Sequence, residues 1–538
     1  MALNRRQRRA EARAASTRPA GASIHLNSLL ETGLRHHQAG RLTEATEVYR
    51  QALTLDPGQA DALHLSGLAA HQLGQNAIAA KTIGQAIAAA PKIALYRCSL
   101  GNALKALGRM DEASVAYTDA IRLQPDFAEA HYNLGTALMA LGRIDDAVDA
   151  FRAATRLKPD FTAAHLSLGA ALREMGRLDA ALAAYTRAIR VTPENAEAHT
   201  DRGNLLKAVG RLEEALAAHA AAIRVRPDFA EAHYNLGNTL KALGRLDEAI
   251  AAYRAAIRGK PDFAEAHVNL GMELLLAGDF AHGWAAYAWR LRGALSPRTF
   301  SRPAWRGESL AGRRILLHAE QGLGDTIQFC RYVPLVAARG GLVTLEAPRP
   351  LLRLLSGLSG VTRLIAEGES IPAFDVHCSL MSLPLAFGTE EDTIPAQVPY
   401  LAAKPDRIAY WRDRLGPKTR PRVGLVWSGG FRPDQPALFA VNARRNIPLP
   451  LIGQLNRPDI DFVSLQKGEP AEGELRALQD TLWPGGNFTN AGPDIGDFDD
   501  TAGLIETLDL VISVDTSTAH LAAAMGKPVW LLNRFDSC

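Results

Sequence analysis

A step of 34 positions limits what this 538-residue chain can fold into more than any other feature. Pro57, Pro91, Pro125, Pro159, Pro193, Pro227 and Pro261 keep it, and so do the glycines from Gly40 through Gly142 to Gly278. A second glycine column runs Gly67, Gly101, Gly135, Gly169, Gly203, Gly237, Gly271. A period of this length reads as a stack of supersecondary units, each burying its apolar face on the next.

Each unit reads as two amphipathic helices. In 128–161, His131, Leu134, Gly135 and Leu138 share one face of the first helix, and Ala147, Phe151 and Ala154 line the second. Gly142 supplies the turn, where a positive φ is needed, and Pro159 stops the second helix. Gly135 and Ala147 let the helices approach closely. The pattern resembles the tetratricopeptide repeat, which implies a superhelical α-solenoid with a concave groove. Seven full units run from 26 to 263. An eighth, 264–297, has Gly283 for the small Ala, Arg290 for the next Ala and no Pro, and reads as a junction or capping repeat.

One column of the first helices runs Leu65, Ser99, Asn133, Ser167, Asp201, Asn235, Asn269. The eukaryotic protein O-GlcNAc transferases, whose architecture is similar, carry asparagines there that hold a peptide by its backbone. The resemblance therefore implies a peptide groove at Asn133, Asn235 and Asn269; solvated inner-face positions are the other reading. His131, His165, His199, His233 and His267 lie a repeat apart, too far to share a metal, and read as core histidines.

Composition narrows the function classes. Sixty basic and fifty-seven acidic residues give a net charge of +3, which marks no nucleic-acid binder. The basic residues of 1–25 read as a disordered tail. Four scattered cysteines suggest neither disulfide framework nor zinc site, and no apolar run is long enough to span a bilayer. A cytoplasmic protein is expected.

After 298 the texture changes. Residues 298–311 read as linker, and 312–538 alternates short apolar runs with helical stretches, the pattern of parallel strands in an α/β domain. Expected strands are 315–318, 342–345, 362–365 and 374–378, then 423–427, 462–465, 510–514 and 529–532. They fall into two Rossmann-like halves, about 312–400 and 405–538, and the element order suggests a GT-B-like plan.

Three strand-to-helix junctions could carry chemistry. In 319–334, Gly322 and Gly324 leave the loop bare before Asp325, which with Gln328 also reads as a simple capping box. In 423–430, Ser428 and Gly429 close a buried strand, with Arg444 and Arg445 downstream. In the third, Asp515, Thr516, Ser517, Thr518 and His520 gather at a helix start, a ready phosphate site or ordinary Ser/Thr capping.

EQGLGDTIQFCRY, SLQKG at 464–468 and SVDTSTAHLAAAMGKPV together resemble glycosyltransferase family nine, the heptosyltransferase-like domain, fused to tetratricopeptide repeats as in many bacterial proteins. The resemblance implies Asp325 as base on an acceptor hydroxyl. It implies nucleotide-sugar contacts from Gly322, Gly324, Ser428, Gly429, Gln466, Lys467 and the 515–520 segment, and more loosely from Arg445, which would replace a lysine. No metal or other cofactor is expected: Asp497-Phe-Asp499 matches an acidic triplet but reads as a helix start. The family normally continues beyond LLNRFDSC, so the domain reads as short at its C-terminus. Two functions follow. One is a metal-independent glycosyltransferase, moving sugar from a nucleotide donor to a hydroxyl, whose repeats recruit a protein partner. The other is a non-enzymatic interaction scaffold with a decayed, truncated transferase domain.

Overall fold

The 34-residue blocks fold as helix pairs in which the glycine column leaves room for a large side chain, in most of them a ring. In the computed structural model, which describes residues 20–292, 298–429 and 446–532, Tyr49 lies over Gly33, Tyr117 over Gly101, Phe151 over Gly135 and Tyr185 over Gly169. A Cβ on those glycines would come within 2.4–2.7 Å of the ring, so a larger residue must displace it from its packed position. Gly142 turns the chain between its two helices, Ala128–Ala140 and Ile144–Leu157, with φ of +72°. The same turn recurs from Gly40 to Gly278. Among the described residues, eight such pairs run from Ala20–Gln38 with Leu42–Leu55 to Ala264–Leu276 with Phe280–Tyr287, forming a helical tetratricopeptide solenoid.

The recurring histidines correct their reading as core residues. His165 is buried, but His131, His199, His233 and His267 are only half-buried. Each ring nitrogen lies 2.9–3.0 Å from the carbonyl of the proline six residues before it. They fasten the first helix to the turn that precedes it, a role a ring at the helix start fills without reaching the core.

The chain divides into two compact units, Met1–Thr239 and Leu240–Cys538. The second holds the last repeats and the α/β region. Its strands are β1 (Arg314–His318), β2 (Leu342–Ala347), β3 (Val361–Ala366), β4 (Val376–Ser379), β5 (Arg422–Val426), β6 (Asp461–Ser464), β7 (Phe488–Asn490), β8 (Leu510–Val514) and β9 (Val529–Leu532). They form two parallel sheets, ordered β3-β2-β1-β4 and β7-β6-β5-β8-β9. In each sheet the order reverses at a central strand, between β1 and β4 and between β5 and β8. Beyond the carboxyl ends of such strands, loops diverge and leave a crevice.

Residues 298–311 are not a free linker. Trp305 and Leu310 are buried in the core around the first sheet, and the Trp305 backbone N–H donates to the His377 carbonyl at 2.8 Å. An indole placed in that stretch has apolar surface to hide, which draws the segment onto the sheet edge. Among the described residues, no helix is long and apolar enough to cross a membrane.

Candidate functional site

β1 ends at His318, and five residues later the chain enters the short helix Leu323–Phe329. Its N-cap is Gly322, and Asp325 is the third helical residue, accepting the Gly322 backbone N–H at 3.0 Å. The capping reading is therefore half right, with the roles moved: Asp325 caps backwards onto Gly322 and is not the first residue of a box with Gln328. One carboxylate oxygen makes that bond. Burial pushes the Asp325 carboxyl up from its ordinary value, the Gly322 N–H and His520 offset part of this, and Asp515 adds to it.

At the third junction β8 delivers Asp515 and Thr516 to the helix Ser517–Ala524. Thr516 is the N-cap in extended conformation, yet its side chain makes no capping bond; its hydroxyl lies 3.0 Å from Ser513 Oγ. The first amides of that helix are thus left uncapped by the residue best placed to cap them, at the positive end of the helix dipole. Asp515, Thr516, Ser517, Thr518 and His520 are all half-buried, and His520 Nε2 is 3.6 Å from Asp515 Oδ1.

The two helix starts meet. A Cβ on Gly324 would be 2.8 Å from His520 Cδ2 and 3.5 Å from Ser517 Cα. Here the bare residue allows a close approach, so Gly324 packs under His520 and Gly322 caps the helix. Asp325 and the 515–520 turn consequently share one crevice at the carboxyl ends of β1 and β8.

The second junction is built as a strut. Gln466 Oε1 accepts the backbone N–H groups of Trp427 and Ser428 at 3.2 and 3.0 Å, while its Nε2 donates to the carbonyls of Ser428 and Lys467. Both donors and both acceptor positions of its amide are used within the fold, and Gln466 fixes the loop after β5. Gly429 N–H donates to Asn446 Oδ1 at 2.9 Å, a residue the sequence reading passed over. Ser428 is buried, and its hydroxyl donates to the Gly429 carbonyl. Lys467 is exposed, with its ammonium on the Ile495 carbonyl. Arg444 and Arg445 lie outside the described residues.

The acidic triplet is engaged elsewhere. Asp497 caps the helix Phe498–Glu506 by accepting from Asp499 and Asp500 N–H, and its second oxygen meets Arg353 at 3.0 Å. Asp499 is fully buried against Arg353 and Lys404, at 3.1 and 3.5 Å. In the repeats, Asn133 and Asn235 of the first unit and Asn269 of the second are each half-buried on the first helix of their pair. Asn133 Nδ2 lies 3.8 Å from the Cys98 sulfur.

Family comparison agrees with this layout. Tetratricopeptide-repeat models match residues 33–74, 98–160, 169–210, 200–262 and 234–288, and glycosyltransferase family 9 (heptosyltransferase) matches 491–532. That last segment carries the whole 515–520 turn. Protein FlbA of Caulobacter vibrioides is 30% identical over 260 residues, covering 43% of this chain and 41% of FlbA, so the chain spans about two fifths of that relative. Among solved structures, YrrB, described as a TPR protein with an unusual peptide-binding site, is 26% identical with a TM-score of 0.32. It covers 37% of this chain and 99% of its own. A thermophilic TPR protein of Thermus thermophilus is 28% identical with a TM-score of 0.28, covering 34% of this chain and 99% of its own.

Proposed function

For a chain with tetratricopeptide repeats across its N-terminal part and a glycosyltransferase family 9 match at its C-terminal end, we propose sugar transfer from a nucleotide donor to a hydroxyl acceptor. The α/β region works on the GT-B plan, and the repeats recruit a protein or peptide, with Asn133 and Asn235 of the first unit as main-chain contacts. The observation that carries the reading is the meeting of the Asp325 turn with the 515–520 helix start, which the Thr516 side chain does not cap, at Gly324.

Transfer requires a base on the acceptor and positive potential on the departing diphosphate. Asp325 is the base: its second carboxylate oxygen is not the one that holds Gly322, and burial raises its proton affinity. The amides of Ser517 and Thr518, with the hydroxyls beside them, take the diphosphate, where the helix dipole favours negative charge. His520, set by Asp515, stands between the two. Ser428 and Gly429, held by Gln466 and Asn446, form the wall nearest the donor, with Lys467 at its rim. No resident metal is needed, because dipole and side chains do the neutralising.

The test is nucleoside diphosphate release by the full chain from a panel of UDP-, GDP- and ADP-sugars, with and without a mixed hydroxyl acceptor pool. Release from one donor, stimulated by acceptor and lost in Asp325→Asn, is expected. A folded chain that consumes none of them contradicts the proposal.

A further inference from the structure

In the repeat array one position of the second helix is always small and buried: Ala154, Ala188, Ala222 and Ala256 are each fully buried. The eighth repeat puts Arg290 there, and it too is buried. Its guanidinium does not escape to water. Nε meets Glu320 Oε1 at 2.5 Å and Nη2 meets Glu320 Oε2 at 3.1 Å; Nη2 also donates to Ser382 Oγ and Nη1 to the Tyr287 carbonyl. Side-chain exposure is 8% for Arg290 and 6% for Glu320, so both charges are out of water and each depends on the other. Ser379 Oγ gives Glu320 a further bond.

Glu320 lies in the short loop from β1 to the Asp325 helix, two residues before its N-cap. The same repeat grips that segment twice more. Gln321 Nε2 donates to the Tyr287 hydroxyl at 3.2 Å, and Trp284 packs edge-on against Phe329, the last residue of the helix, with ring centroids 6.2 Å apart. Asp325 therefore sits on a seven-residue helix held by the eighth repeat at both ends. A buried ion pair adds little net stability over an apolar pair of equal volume, but its fork geometry fixes one arrangement.

We infer that the eighth repeat is a working part of the α/β site, and that Arg290 is a positioning residue which, through Glu320, sets the turn carrying Asp325. The consequence for turnover rests on the proposed role of Asp325; the positioning itself does not. Loss of the fork lets Glu320 turn toward water and takes Gly322 with it, while the 515–520 turn, anchored on β8, stays in place.

Two full-length variants test this: Arg290→Lys, which keeps the charge without the fork, and Arg290→Met/Glu320→Leu, which removes both charges at similar volume and guards against a single variant that fails to fold. Amide hydrogen exchange is read over 319–325, over 515–520 and over the first repeats, with donor KM and kcat for any nucleotide sugar the parent consumes. The expected result is exchange faster by about tenfold at 319–325 alone in both variants. With it, kcat falls about a hundredfold while donor KM stays within about twofold. Unchanged exchange at 319–325, or an equal rise throughout the chain, overturns the inference. So does a local rise with parental kcat. A local rise in a chain that transfers no sugar leaves the positioning intact and removes the glycosyltransferase reading instead.

Discussion

The repeats and the α/β region hold themselves together in opposite ways. In the first unit a few contacts are reused: a large side chain over a glycine and a positive-φ turn in repeat after repeat, and a histidine on a proline carbonyl in the repeats that carry one. Its ion pairs are exposed and repetitive, as in Arg109–Glu112, Arg143–Asp146 and Arg211–Glu214. The α/β region instead relies on contacts that occur once: Arg290 with Glu320, Arg298 with Glu346, Arg353 and Lys404 with Asp499. Redundant apolar contacts tolerate exchange between repeats and fix nothing in particular. Single buried charges add little stability but determine which loop sits where, and the crevice around Asp325 is where such placement matters.

The contrast can be broken by variants, and the largest effect belongs to chemistry. Asp325→Asn should lower turnover by about 10²–10⁴-fold with nucleotide affinity nearly unchanged, measured by initial rates and calorimetry. Because burial raises the Asp325 carboxyl, the acid limb of the parent's rate profile should lie above the ordinary aspartate range. A limb at ordinary aspartate values would show that another group is the base.

Next comes the ring-on-glycine contact. Phe151→Ala should cost about 3–5 kcal/mol of stability in denaturant unfolding, because a fully packed ring leaves a cavity behind. Gly135→Ala should cost about 1–3 kcal/mol, since its Cβ falls 2.6 Å from that ring. If the contact is interchangeable, Phe151→Ala/Gly135→Ala is milder than the sum of the two. Strict additivity would mean that the glycine column serves some other purpose.

His219 tests the same contact from its exception. It occupies the ring position over Gly203 and is fully buried, and burial holds its pKa down at about 4. The unfolded chain protonates first, so this stability is complete above about pH 6.5, lost progressively down to about pH 4, and level below. Among the described residues, neither ring nitrogen has a hydrogen-bond partner. His219→Phe should flatten that part of the pH–stability curve and raise stability at pH 5; an unchanged slope would assign the acid sensitivity elsewhere. The smallest effect is expected at the exposed pairs: Arg211→Ala should leave the melting temperature within about a degree of the parent.

The repeats were legible because their signal is periodic and local. Gly135 and Phe151 lie sixteen positions apart, and every repeat restates the spacing. Eight of the nine described strands were legible as apolar runs. β7 was not, because Phe488-Thr489-Asn490 is a three-residue edge strand without such a run. At the site, the glycines and the 515–520 cluster stood out through composition, and the structure brings Gly324 onto His520. What stayed hidden were pairings made only in three dimensions. Gln466 reads as a ligand contact in the sequence, and its four bonds to the 427–428 and 467 backbone carry no sequence signal. Asn446 carries no motif at all. Arg290 was visible as a break in the repeat, but its meaning lies in Glu320, thirty residues away in another element.

The measurement that tests the account most directly is calorimetric titration of the full chain with UDP, GDP and ADP, without added metal. The account predicts micromolar binding of one nucleotide, weakened at least about tenfold in Thr516→Ala/His520→Ala, because the 515–520 helix start holds the diphosphate. No binding of any of the three by a chain shown to be folded, or binding indifferent to those two changes, would contradict it.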